Sequence, residues 1–460
     1  MIRLCINTQT PPIHPLPGAP HRPGVRWREG RDYAPNVGGV VPMMRALLKA
    51  TVGDFVARSP RWIALGAPEL PREVATDEGY VVETYRLDAT TLAAYGRFKE
   101  SVWHSFHSPF TYRFSMGDYR EFVEYSYRTA DCLLRHATDY DLFYIHDFQQ
   151  LLVGGLVGSA APALLRWHIP VDLKGYPEPV RRFFIKAMEG FDGIVVSTRS
   201  GLEELIRAGF HGRAFQQYPY LDPATQRPAS HAAVHELRER FSIGPDAPIV
   251  LSVSRLDPVK RQDLLVDAFA SVRRRHPDAV LLLVGGGSFS TRTLTGSGAR
   301  SKADDWGERL RERVAARRLS DAVVFAGGLS EADVQTAYSA ASVFVHPAPW
   351  EGFGLVVVEA WCHRLPVLVS TGAGVAELVD DEVNGFAVPP GSAASLARRI
   401  VQLLDRPEAA RRMGEIGSLT ARRCFVERAV PRLREIFERT IQVYEYTGLR
   451  SRGRYGSALR

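Results

Sequence analysis

WEGFGLVVVEAW, residues 350–361, sets Glu351 and Glu359 eight positions apart around a Gly-Phe-Gly turn. The run before it, SVFVHP (342–347), is aliphatic without polar alternation. Such runs mark strands covered on both faces, as in a parallel sheet. A helix is expected to begin near Leu355 and to pack its valines on that sheet. Gly352 and Gly354 permit backbone angles that other residues avoid. The N–H groups of Phe353, Gly354 and Leu355 then stand at a helix start, where anions bind. A carboxylate repels an anion, so the two glutamates must serve something else on the same ligand.

The same grammar extends along the chain. Strands are expected at 2–7, 62–66, 80–87, 141–147, 163–169 and 193–198, and again at 248–254, 279–286, 322–327, 342–347 and 366–370. Between them lie amphipathic helices, at 118–136 and 179–189 in the first half and at 261–276, 304–318 and 331–341 in the second. Strands alternating with helices imply right-handed βαβ units. Two such sets predict an α/β chain of two Rossmann-like, doubly wound domains facing a cleft. Ligands of such sheets bind beyond the carboxyl ends of the strands. The Pro-rich stretch LDPATQRPAS (221–230) divides the chain into domains 1–228 and 229–427, followed by a helix and basic flexible tail over 428–460. Residues 10–36, rich in proline, and the Gly/Ser-rich 285–302 read as irregular loops.

Composition narrows the class. With 45% hydrophobic and 24% charged residues, the chain reads as an ordinary soluble globular protein. The net charge of +7 is spread over helices, apart from short runs such as 273–275, so nucleic-acid binding has no motif behind it. Cys5, Cys132, Cys362 and Cys424 show neither CxxC nor metal-ligand spacing. No apolar run is long enough to span a bilayer, and MIRLCINTQ reads as a first strand rather than a leader, so a cytoplasmic chain is expected.

Two further stretches carry chemistry. In SVSRLDPVKRQDLL (252–265), Arg255 and Lys260 flank a proline turn after a strand. Five positions apart, they can converge on one anion and neutralise a diphosphate leaving group. In VGGV (37–40), paired glycines open a helix and let backbone N–H groups approach an anion. Taken alone, each stretch is also an ordinary turn. A sugar nucleotide fits all of them, because hydroxyls lie on both sides of its diphosphate. Glu351 reaches the hexose and Glu359 the ribose.

This combination resembles the retaining glycosyltransferases of the GT-B fold, with their Glu-x7-Glu motif. SRLDPVK resembles their Arg…Lys element, and 371–391 resembles the segment that follows. The first half resembles the trehalose-6-phosphate synthase family, through VGGVVPMMRALL, RWIALG, VWHSFHSPF, YIHDFQQLLVGGLV and LLRWHIP. The resemblance implies that Arg255, Lys260, Gly39, Phe353, Gly354 and Leu355 hold the donor phosphates. Glu359 binds ribose, Glu351 binds the donor sugar, and His146 sits beside the reacting sugar. Asp147, Trp62 and His107 belong to the acceptor side.

One departure stands out. Where that family's first strand ends in Ser-Asn-Arg, this chain has Asn7-Thr8-Gln9. The acceptor is then glucose or glucose 6-phosphate, the latter held by Arg22, Arg26, Arg28, Arg31, Arg292 or Arg300. The reading implied is transfer of glucose from a nucleotide-diphosphate-glucose to give trehalose or trehalose 6-phosphate. No cofactor is expected, and no metal is required, because Arg255 and Lys260 neutralise the diphosphate. A glucosylglycerol-type synthase, a phosphorylase and an inactive sugar-nucleotide-binding regulator are the alternatives. A homo-oligomer stays open. A dinucleotide oxidoreductase is disfavoured, since the first strand–helix junction lacks G-x-G-x-x-G.

Overall fold

All eleven aliphatic runs expected as strands form strands. The computed structural model describes residues 1–20, 24–36, 38–107, 115–158, 160–286 and 302–456. The chain divides into two compact units, Met1–Pro219 with Val426–Arg460, and Tyr220–Phe425.

Among the described residues, the first unit has a nine-stranded sheet in the order Ala214–Gln216, Gly193–Val196, Ala163–Arg166, Leu142–His146, Leu4–Thr8, Arg61–Leu65, Val81–Tyr85, Glu73–Thr76, Arg26–Trp27. Leu4–Thr8 and Leu142–His146 are buried at every position, which is why they read as unbroken apolar runs. Pairing is parallel, except that Glu73–Thr76 runs antiparallel to Val81–Tyr85. In register, His146 lies opposite Arg166, and Asn7 opposite both Ile145 and Ile63. The ends of these strands therefore share one edge of the sheet.

The second unit has a six-stranded parallel sheet in the order Val323–Gly327, Val280–Val284, Ile249–Val253, Val343–His346, Val367–Ser370, Phe386–Val388. The helices Gln262–Arg275 and Ala393–Leu404 pack on it through Leu265, Phe269, Val272, Leu396 and Ile400. The expected helices at 304–318 and 331–341 are Lys302–Ala316 and Glu331–Ala340. This unit closes on itself. Leu221 bridges Phe425, and its N–H donates to the Cys424 carbonyl at 3.0 Å.

The structure corrects several expectations. The proline-rich 10–36 is not wholly irregular: Ile13–Pro15 pairs antiparallel with Tyr33–Pro35, and Arg26–Trp27 adds to the sheet edge. Pro15 and Pro35 are tolerated because an isolated two-stranded pair leaves one side of each strand without a ladder. Trp27 anchors the segment, buried, with its indole N–H on the Pro20 carbonyl. The expected flexible tail is helical through Val426–Gly456. That helix belongs to the first unit because Phe437 is fully buried there, 5.0 Å from Tyr144 and 6.3 Å from Phe55. The long helix Ala89–His107 also escaped the sequence reading.

Candidate functional site

In the second unit, Asp257 caps the turn Pro258–Lys260, and its carboxylate accepts from the Val259 N–H. Arg261 then takes a left-handed conformation, φ 54°, and the helix Gln262–Arg275 begins. Gln262, almost fully buried, locks this loop. Its amide donates to Ser254 Oγ at 2.9 Å and to the Arg255 carbonyl at 2.7 Å, and its oxygen accepts from Trp306 Nε1 at 3.0 Å. The fit leaves no room for a side chain at Gly285, where a Cβ would lie 1.9 Å from the Ser254 carbonyl oxygen.

The Glu351 loop is built as tightly. The backbone of Glu351 bridges Ala373; its carbonyl accepts from Gly374 N–H at 3.0 Å, and that of Phe353 from Val375 N–H at 2.9 Å. Gly354 is left-handed, φ 103°, and starts the helix Leu355–Cys362. The expected Gly-rich turn and helix start are therefore as the sequence implied. Among the described residues, the N–H groups of Gly354 and Leu355 donate to no backbone carbonyl. Phe353 is buried beneath them, and Val357 and Val358 face the core.

Lys260 and Glu351 form an ion pair, both side chains largely buried. His346, at the end of the strand, lies 3.5 Å from the same carboxylate oxygen and is 2% exposed. Burial pushes the Glu351 carboxyl up, but the Lys260 charge and the nearby His346 imidazole outweigh it and hold it well below the usual carboxylate range. The sequence reading set Lys260 beside Arg255 on one anion. In the structure Lys260 is paired with Glu351, and Arg255 is exposed on the same loop. His346 was missed, although it ends the strand Val343–His346 quoted in SVFVHP.

Glu359, a turn into the helix, is elsewhere. Its carboxylate accepts from Tyr338 Oη at 2.8 Å, and burial pushes its titration up despite that bond.

In the first unit, the strand Leu142–His146 ends at Asp147, whose φ of 73° and ψ of 172° lie in a region essentially reserved for glycine. Two bonds enforce it: Asp147 N–H donates to the Arg166 carbonyl at 2.7 Å, and its carboxylate accepts from His168 N–H at 3.3 Å. Burial pushes the Asp147 carboxyl up to about 6. His146 and His168 stack, ring planes 10° apart, with Nδ1 and Nε2 at 3.0 Å. Burial and the nearby Arg166 guanidinium push both imidazoles well below their ordinary value. Both rings are therefore neutral at pH 7, and one donates to the other. His146 is 1% exposed, and His168 is half-buried. The sequence reading chose His146; the signal for His168 lay in the quoted LLRWHIP.

The remaining expected residues are scattered. Trp62 is fully buried, its indole N–H spent on Thr8 Oγ1 at 2.8 Å and its ring against Tyr80. His107 ends the helix Ala89–His107, buried and stacked on Trp103. Gly39 caps the helix Val40–Thr51 with ordinary helical angles; the glycine with an unusual angle is Gly38, φ 135°. Asn7 and Thr8 are tied to Ile63 and Thr10 carbonyls. Arg26, Arg28 and Arg31 are exposed, while Arg22, Arg292 and Arg300 lie outside the described residues.

Against known families, residues 234–419 match the model for glycosyl transferases group 1. That match lies wholly within the second unit. One relative is the GDP-mannose-dependent alpha-(1-6)-phosphatidylinositol monomannoside mannosyltransferase of Mycobacterium tuberculosis, 31% identical over 248 residues, 52% of this chain and 60% of that enzyme. The chain thus spans about 60% of the length of that first curated relative. Among solved structures, the trehalose-phosphate synthase (UDP-forming) of Burkholderia xenovorans, in complex with glucose-6-phosphate, is 17% identical with a TM-score of 0.73, over 95% of this chain and 100% of that one. Anabaena HepE in complex with UDP and glucose has a TM-score of 0.67 at 18% identity, over 95% and 100%. At such identity these likenesses speak to fold, and the fold is that of the GT-B glycosyltransferases. No helix among the described residues is long and apolar enough to cross a membrane.

Proposed function

We propose that the chain is a retaining glycosyltransferase that moves glucose from a nucleotide-diphosphate-glucose to glucose or glucose 6-phosphate, giving trehalose or its 6-phosphate. The observation that carries this reading is the cluster at one strand end: Lys260, Glu351 and His346 beside the open N–H groups of Gly354 and Leu355. In it, the amides and the two cations Arg255 and Lys260 take the diphosphate. Glu351 takes the hexose hydroxyls, and Glu359 the ribose. Diphosphate entry draws Lys260 toward phosphate and frees Glu351 for the sugar, an exchange of partners within one site.

The leaving diphosphate oxygen accepts the acceptor proton on the face where the new bond forms. The protein contributes position and charge stabilisation. On the acceptor side, the ionised Asp147 accepts from sugar hydroxyls, and the neutral pair His146 and His168 offers a fixed imidazole to the hexose. The first domain serves the acceptor and the second the donor.

The test is product analysis with UDP-, ADP- and GDP-glucose, each with glucose and glucose 6-phosphate, the anomeric configuration read by NMR. An α,α-linked disaccharide with loss of nucleoside diphosphate is expected. Turnover only of disaccharide with inorganic phosphate overturns the synthase reading. The mannosyltransferase relative favours a second reading, in which the donor is GDP-mannose. A GDP-mannose arm decides between them.

A further inference from the structure

Glu359 lies one turn into its helix, and its carboxylate is not left to choose its own orientation. Tyr338, on the neighbouring helix Glu331–Ala340, is fully buried and donates its hydroxyl proton to Glu359 Oε2 at 2.8 Å, and its hydroxyl oxygen also lies 3.3 Å from the Val356 carbonyl. The tyrosine ring is held in turn. His363 stacks on it at 5.4 Å with planes 22° apart, and Phe344 leans against it at 5.7 Å. His363 is pinned at both ring nitrogens, Nε2 to Gln335 Oε1 at 2.6 Å and Nδ1 to Ser339 Oγ at 3.1 Å. Ser339 also accepts from the Ala229 N–H at 2.9 Å. Five side chains from three chain segments thus converge to fix one carboxylate oxygen.

Reading a vicinal diol demands such fixing. Both hydroxyls must meet lone pairs at set angles, and a free glutamate loses that geometry to side-chain rotation. With Oε2 tethered, the other oxygen and the remaining lone pair keep a constant aim. We propose that Tyr338 is a positioning residue that aims the Glu359 carboxylate at the ribose and so sets the preference for ribo- over 2′-deoxyribonucleotide donors. This rests on the reading of Glu359 as the ribose ligand. The tyrosine hydroxyl also works against the burial that favours the protonated carboxyl, so it supports the form that accepts two hydrogen bonds.

The test titrates UDP, GDP and ADP, and their 2′-deoxy counterparts, into wild type, Tyr338→Phe and Glu359→Gln by calorimetry. For the preferred base, wild type binds the ribo form about tenfold more tightly, the worth of one charge-assisted hydrogen bond. Glu359→Gln abolishes that ratio, and Tyr338→Phe reduces it to about threefold or less, with donor KM changing more than kcat. A full ratio in Tyr338→Phe, with the ratio lost in Glu359→Gln, overturns the positioning role and leaves the ribose reading standing. A ratio untouched in Glu359→Gln, or absent in wild type, overturns both. Should Tyr338→Phe fail to fold, Gln335→Ala unpins His363 from the ring. It too must lower the ratio, and an unchanged one counts against the proposal.

Discussion

Two strand ends in this molecule each present an acid, and they treat its charge in opposite ways. Glu351, after Val343–His346, is paired with Lys260 and held well below the usual carboxylate range. Asp147, after Leu142–His146, has no cation within its hydrogen-bonding shell among the described contacts, and burial lifts it to about 6. The backbones differ in parallel. Beside Glu351 the left-handed turn falls on Gly354, which adopts it without cost; beside the histidines it falls on the acid itself. One site keeps its charge by compensation and delegates strain to a glycine. The other concentrates strain and a suppressed charge in one residue, a hallmark of a functional position.

The sharpest way to break the comparison is at Glu351. Glu351→Gln keeps size but removes the charge opposite Lys260, and transfer should fall by about 10²–10³-fold. A loss under fivefold sinks its assignment to the donor sugar. At Asp147, Gly is the instructive change. It relieves a conformation costing about 1–3 kcal/mol, so Asp147→Gly should melt higher than wild type while transfer falls about 100-fold. A lower melting temperature would show that the acid's hydrogen bonds outweigh the strain.

The pH response follows from the same residue. The folded-state value of Asp147 lies above that of the unfolded chain, so folding favours its protonated form. Its contribution to stability is fully present below about pH 4 and is lost as pH rises through about 6. Transfer needs the ionised form and should decline as pH falls below about 6. Stability and rate thus move oppositely across this window. Comparing wild type with Asp147→Asn in melting and rate profiles checks both signs; identical profiles dispose of the idea.

The smaller effects concern scaffolding. Gly354→Ala places a Cβ 3.4 Å from Val375 and 3.5 Å from His346 in a left-handed turn, and should cost about 1–2 kcal/mol in denaturant unfolding. Trp62→Phe loses one buried hydrogen bond, worth about 1 kcal/mol, and should leave acceptor KM unchanged. A raised KM would restore Trp62 to the acceptor site that the sequence resemblance implied.

What the sequence disclosed follows a physical divide. Strands such as Val280–Val284 are buried at every position, and that burial is written as unbroken aliphatic sequence. Short strands at or beside a sheet edge, Ala214–Gln216 and Glu73–Thr76, are half polar, and they exist only because a neighbour offers a ladder. The glycine turn and its two glutamates were legible because the motif is local. The partners were not. Lys260 meets Glu351 across 91 positions, and Tyr338 meets Glu359 from another helix, contacts that only folding creates. Sequence shows that His146 ends its strand; that His168 stacks on it is a contact that only folding creates.

The bridge between Leu221 and Phe425 has a practical meaning. The polypeptide enters and leaves the second unit through neighbouring backbone, so that unit is a cassette whose ends already meet. A gene cut at 219/220 and 425/426 removes it between two positions that lie side by side, and a related cassette can be spliced into the same place.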